Sequence, residues 1–200
     1  YLDVYQHAFP LLKAYDIPAT LFLTTGFIGS SSSYLWWDEV DYFCRTDGLT
    51  LPELDGSFST ELRMAAELMA RLPGTRTTRI EAFIRSTLLG IPVEERNRFI
   101  EKLRSSVPVG AFRPQLMLSW DQVEEMSGLI EIANHTVNHR LLDELSGPEI
   151  QQEISAAKER IEQVTGKPCL GLAYPGGVHT ADVVDLAKQA GMEYAVTTRF

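Results

Sequence analysis

Ile130-Glu131-Ile132-Ala133-Asn134-His135-Thr136-Val137-Asn138-His139 opens as an alternating run of apolar and polar residues and closes on two histidines four positions apart. The alternation predicts a short β-strand over residues 130–133. That strand sits inside a longer rhythm: a helix from about Trp120, a helix over 148–165, a strand at Leu170, a helix over 181–190 and a strand at Tyr194. Gly166 and Gly191 stand where helix C-termini take a left-handed residue. Strands alternating with helices imply a parallel sheet with right-handed crossovers, hence an α/β fold. Periodicity by itself leaves an open sheet and a barrel equally acceptable.

The C-terminal ends of parallel strands are where such folds place their chemistry, and His135 and His139 fall at one of them. On a helical turn, residues i and i+4 share a face with Cβ atoms about 5–6 Å apart, and imidazole nitrogen binds zinc at about 2.0–2.1 Å. Two rings at this spacing can therefore face one cation, a third ligand coming from elsewhere. The plain alternative is a helix start bearing two solvated or capping histidines. Thr136 can fix the loop by bonding its hydroxyl to nearby backbone, orienting the histidines, or serve as an N-cap. Asn134-His135-Thr136 fits a glycosylation acceptor, but a buried strand end is a poor one.

The strand at Leu170 runs into Tyr174-Pro175-Gly176-Gly177. Proline lacks an N–H and the glycines admit unusual φ, so this turn can present free amides to a ligand; it can equally be an ordinary strand ending. Tyr174 and Trp120 can offer faces to a sugar ring or pack in the core. His179 is expected in a loop, and His7 at the surface or in the packing of the first helix.

Upstream, residues 4–15 predict a helix with Val4, Ala8, Leu11, Leu12 and Tyr15 on its apolar face, and residues 18–25 a buried strand. The pattern breaks at Gly26-Phe27-Ile28-Gly29 and the Ser30–Ser33 run. Amphipathic helices are then expected over 61–72, 76–88 and 92–103, split at Pro73-Gly74 and at Gly90-Ile91-Pro92. This stretch reads as a helical insertion at about 30–115 in a single domain spanning 1–200. It is expected to lie outside the sheet, flank the mouth of the site and influence substrate choice.

With 44% hydrophobic and 22% charged residues, 200 residues can bury a sizeable core. A net charge of −9 argues against nucleic acid and suits a neutral or cationic polymer. No apolar stretch of about 18 residues spans a membrane. The two cysteines, Cys44 and Cys169, read as buried free thiols, and localisation stays open.

Four pieces, in order, resemble the polysaccharide deacetylases with a NodB-type homology domain, the family 4 carbohydrate esterases. They are Tyr1-Leu2-Asp3 running on to Ile17-Pro18-Ala19-Thr20-Leu21-Phe22-Leu23; Leu118-Ser119-Trp120-Asp121; His135-Thr136-Val137-Asn138-His139; and Ala173-Tyr174-Pro175-Gly176-Gly177 with Tyr194-Ala195-Val196-Thr197-Thr198 behind it. The resemblance implies a distorted (β/α)7-type barrel, incomplete at the N-terminus, that hydrolyses the amide of an N-acetylhexosamine in a polysaccharide or oligosaccharide. It implies a divalent metal, usually zinc, held by His135, His139 and an aspartate, with a second aspartate as general base. Both aspartates belong to an Asp-Asp-Gly motif that would precede Tyr1, and the 200 residues contain no Asp-Asp pair. The chain as given is therefore expected to release essentially no acetate. The oxyanion donor in the resemblance is the amide after Pro175, that of Gly176, with Tyr174 and Pro175 beside it and Thr136 behind the metal ligands. Ala173 stands where many members carry an arginine, which is similar to the Tyr-Pro branch acting on exopolysaccharides such as poly-N-acetylglucosamine. A non-catalytic carbohydrate-binding or assembly module that kept the fold is the alternative.

Overall fold

The computed structural model describes residues 1–29, 35–45, 52–71, 82–106 and 117–198. They belong to two compact units, Tyr1–Ser33 with Gln115–Phe200, and Tyr34–Pro114.

Pro10 shapes the first helix. Proline cannot donate to the carbonyl four residues back, and the chain meets it with a wider, π-type turn over Val4–Ala8 before the α-helix Phe9–Tyr15 (α1). The extra residue in that turn shifts the phase of the apolar stripe. Phe9, 4% exposed, takes the core position, whereas Leu11 and Tyr15, expected on the buried face, are 61% and 73% exposed. Strand β1 follows as Thr20–Leu23, shorter than expected, with only Leu23 fully buried.

The second unit is helical, with α2 (Trp36–Arg45), α3 (Thr60–Arg71), a π-type turn at Ile84–Leu88 and α4 (Val93–Ser105). Helix α2 has no counterpart in the periodicity reading. Residues 76–81 of the helix expected over 76–88, the Pro73-Gly74 break and the Ser30–Ser33 run lie outside the described residues. Val40, Leu62, Leu88, Phe99 and Leu103 form this unit's own core. Beside them Glu39, 3% exposed, receives Arg104 Nε at 2.5 Å and Nη2 at 2.6 Å, a fork geometry that compensates a carboxylate removed from water.

Returning to the first unit, α5 (Trp120–Ser127) starts at a Ser119–Gln122 capping box and leads into β2 (Glu131–Asn134). A second capping box, Ser146 with Glu149, starts α6 (Gly147–Thr165), and Gly166 closes it at φ 65°. Strand β3 (Gly171–Ala173), α7 (Ala181–Gln189, capped by Thr180) and β4 (Tyr194–Val196) complete the order. All pairings are parallel and the strands lie side by side as β1-β2-β3-β4. A doubly wound sheet reverses direction at a switch point; an uninterrupted sequential order is the winding of a βα barrel. The α/β class is as expected, with four strands of the barrel's arc among the described residues.

Leu23, Ile132, Val123, Met126 and Ile161 pack as one core cluster of this unit, and Leu142, Ile154, Leu172, Val183 and Ala187 as another. Each fully buried Leu or Ile contributes about 1.5–3 kcal/mol. Cys169 is a buried free thiol pushed up to about 11 by burial, so it acts in packing. No described helix is long and apolar enough to cross a membrane.

The two units have separate cores, and the Gly29 N–H donates to the Leu118 carbonyl at 2.8 Å, so the chain leaves and re-enters the first unit at one point. Replacing residues 34–114 with a short Gly-Ser linker is therefore expected to preserve a cooperatively folding first unit. Circular dichroism on heating checks this, and a non-cooperative melt would show that the first unit depends on the second.

Candidate active site

The register brings Leu23, Asn134 and Leu172 level, with Val196 opposite Ala173, so the loops after all four strands emerge on one side. His135 follows β2 directly. Its ring Nδ1 lies 2.8 Å from the Ala173 carbonyl at the end of β3. A carbonyl oxygen only accepts, so Nδ1 carries the proton and Nε2 keeps its lone pair. The His139 ring stands edge-on to it, centroids 4.6 Å apart at 89°. Burial lowers the His135 pKa; burial, then the neighbouring His135, lowers that of His139 to about 4. Both rings are thus neutral near pH 7, the form that binds metals.

The histidines meet without a helix, which corrects the expected helical turn. Residues 135–141 are irregular, and Thr136 and His139 take left-handed conformations with φ 65° and 57°. Such a conformation is strained for a β-branched residue and persists where surroundings enforce it. Those surroundings are specific. Asn134, fully buried, accepts the Thr136 N–H and donates Nδ2 to the Ile154 carbonyl, both at 2.8 Å. The Thr136 and Val137 carbonyls accept the Thr25 and Gly26 amides at 3.1 and 2.8 Å. A Cβ on Gly26 would lie 2.6 Å from the Val137 oxygen, so glycine is what lets the loop after β1 come this close. Thr136 Oγ1 accepts the His139 N–H at 3.0 Å. No helix follows for Thr136 to cap until the turn Leu142–Glu144.

The second motif turns over Pro175–Gly177, with Gly176 at φ 65°. Tyr174 and Pro175 are buried and Gly176 is exposed. The Tyr174 ring lies flat against His179, centroids 4.9 Å apart at 18°, so one of its faces is already occupied. The Gly176 N–H has no acceptor among the described residues. From behind, Thr197 Oγ1 donates to the Gly177 carbonyl at 2.6 Å. Trp120 is covered by the Arg160 guanidinium 4.5 Å from its ring and packs. His7 is exposed on the first helix.

Two contributors escaped sequence reading. Asn134 ends a strand with its side chain inward. Glu153 lies on α6 among the buried Ile150, Ile154, Ala157 and Ile161, and a carboxylate in an apolar stripe was the available signal. Its oxygens accept the Val137 N–H at 3.0 Å, and the Asn138 N–H and Nδ2 at 2.8 Å each. Among the described residues no third Asp, Glu, His or Cys joins the two histidines into a metal-holding group. A hollow of about 630 Å³ beside α6 and α7, lined by residues such as Leu142, Ile150 and Val183, includes neither histidine.

The sequence profile of the polysaccharide deacetylases matches residues 82–195, more than half of the chain and all of both motifs. The chain belongs to the polysaccharide deacetylase family. Its fold is similar to that of the deacetylase PplD from Streptococcus pyogenes, solved in complex with acetate, at 18% identity and a TM-score of 0.53 over 99% of this chain and 52% of that one. It is similar to IcaB from Ammonifex degensii at 18% identity and a TM-score of 0.53, over 99% of this chain and 56% of that one. The deacetylase domain of BpsB from Bordetella bronchiseptica gives 17% identity and a TM-score of 0.52, over 100% of this chain and 61% of that one. The chain thus spans 52–61% of those structures, and at these identities the likeness is one of fold. No curated protein sequence matches it.

The buried Asn134 generates a stability prediction. Asn134→Leu keeps the branched outline but orphans the Thr136 N–H and the Ile154 carbonyl, and is expected to destabilise the fold by about 2–4 kcal/mol. Urea denaturation measures it, and an unchanged midpoint would contradict the role assigned to this side chain.

Proposed function

We propose that this deacetylase removes N-acetyl groups from an N-acetylhexosamine-containing polysaccharide or oligosaccharide with the help of a divalent cation, most simply zinc. The observation that carries the reading is the His135–Ala173 bond, which commits one ring nitrogen and leaves the other free beside His139. Catalytic zinc sites use three protein ligands and an open position. His135 and His139 supply two; the third, and the carboxylate base, would come from outside the described residues. From the loop side, the Tyr1 hydroxyl bonds the Phe22 carbonyl and meets Thr24 Oγ1, both at 3.2 Å, and Thr24 Oγ1 donates to the His135 carbonyl at 3.3 Å.

A divalent cation in such a site acts as a Lewis acid on the amide carbonyl and makes water nucleophilic near neutral pH. The chain's own residues then do the following. His135, its tautomer fixed by Ala173, keeps the Nε2 lone pair available on a ring that lies beside that of His139. Attack on the acetyl carbon places negative charge on the acetyl oxygen, and the free Gly176 N–H is the donor available to it; one such donor is typically worth about 10²–10³ in rate. Tyr174 keeps the turn in place from the buried side, with its ring against His179. The absence of a third ligating side chain among the described residues also fits a carbohydrate-binding module without catalysis.

The test is acetate release from N-acetylglucosamine oligomers by a protein carrying the complete deacetylase domain, with and without added zinc. Activity is expected to need the metal and to fall about 10²-fold or more in His135→Ala and His139→Ala. Metal-independent release, or release unaffected by either substitution, would overturn the proposal. Oligomer binding with no release by that complete domain would favour the binding module.

A further inference from the structure

We propose that Glu153 is the positioning residue of His139, acting through the backbone of Val137 and Asn138. This rests on the reading of His135 and His139 as a cation site.

Glu153 is 4% exposed on the core face of α6, and a carboxylate there must be compensated by hydrogen bonds or an opposite charge. Three N–H donors compensate it: Val137 N and Asn138 N on Oε2, and Asn138 Nδ2 on Oε1. All three belong to the two residues that separate Thr136 from His139. The carboxylate's solvation and the loop's backbone satisfaction are therefore the same set of bonds.

The loop is pinned from two directions. Its carbonyls, at Thr136 and Val137, go to the amides that follow β1; its amides, at Val137 and Asn138, go to Glu153. Between these pins the chain runs left-handed at Thr136 and again at His139. Releasing the Glu153 side would free the two peptide units that lead into His139, and strained residues relax when their surroundings stop enforcing them. The His135 ring, held by Ala173, would stay. The inter-ring distance would no longer be fixed, and partners behind a metal ligand of this sort typically account for about 10–100-fold in affinity.

Reach and charge can be separated, because Gln keeps the length of Glu without its charge, whereas Asp keeps the charge and is one methylene shorter. In Glu153→Gln the side-chain amide oxygen can accept the two backbone amides, and a flip of the Asn138 side-chain amide restores the third bond. Two readouts are taken on a protein carrying the complete deacetylase domain: amide-proton exchange at Val137 and Asn138, and zinc titration followed on the His135 and His139 ring signals. Glu153→Gln is expected to stay within about threefold of the unsubstituted protein in both, while Glu153→Asp speeds exchange of the two amides at least about tenfold, leaves exchange in α7 unchanged and weakens zinc binding by about 10–100-fold. Zinc binding unchanged in Glu153→Asp would overturn the proposal, and with it weakening in Glu153→Gln alone would assign the effect to charge; equal weakening in both variants would also overturn it, because the reach that Gln preserves would then not be what positions His139. If zinc moves neither ring signal in the unsubstituted protein, the cation reading fails. The amide exchange of the two variants then still decides whether Glu153 holds the loop.

Discussion

The bond between the His135 ring and the Ala173 carbonyl, 2.8 Å long, ties the loop after β2 to the end of β3, and most of the site's geometry depends on it. It fixes the tautomer of His135 without any titratable partner. It also uses a strand-end carbonyl, one that parallel pairing leaves at the sheet's C-terminal edge, directly before the Tyr174-Pro175-Gly176 turn. The sheet register therefore sets the relation between the imidazole pair and the exposed Gly176 amide, the two features from which the deacetylase reading is built.

The loop that carries His139 has less intrinsic stability. Two left-handed residues that are not glycine would relax in an isolated peptide. Here they are held by an inward asparagine, by a glycine at which the loop after β1 can approach without a Cβ, and by a carboxylate on α6. These three supports come from separate parts of the chain, so the loop takes its shape only once β1, β2 and α6 have assembled. Strain localised at a ligand-bearing loop and balanced by the surrounding fold is a recurrent property of functional sites.

This dependence explains what the sequence could and could not disclose. The elements after Trp120 were legible to within a residue or so, because Ser119, Ser146 and Thr180 cap the helix starts, and Gly166 and Gly191 follow the last turns. Both motifs were legible as residue types, and the parallel order followed from the rhythm. The π-type turn ahead of Pro10 was not legible, and with it the exposure of Leu11 and Tyr15. The irregular path from His135 to His139 was hidden for a related reason. A spacing of four suggests a helical turn, whereas the bonds that impose the actual path run to Thr25, Gly26 and Glu153, positions a local pattern does not relate to the loop. Periodicity left an open sheet and a barrel equally acceptable; the family resemblance implied the barrel, and the sequential strand order carries its winding.

The most direct test of the account is the tautomer of His135, read from ring 15N chemical shifts and long-range 1H–15N couplings at pH 7 in the metal-free protein. A proton on Nδ1, slow to exchange and coupled to the Ala173 carbonyl, is the predicted result, with Nε2 unprotonated. A proton on Nε2, or a ring averaging rapidly between the two forms, would contradict it. The imidazole would then not be held by β3, and the pair would lose the orientation on which the proposed site depends.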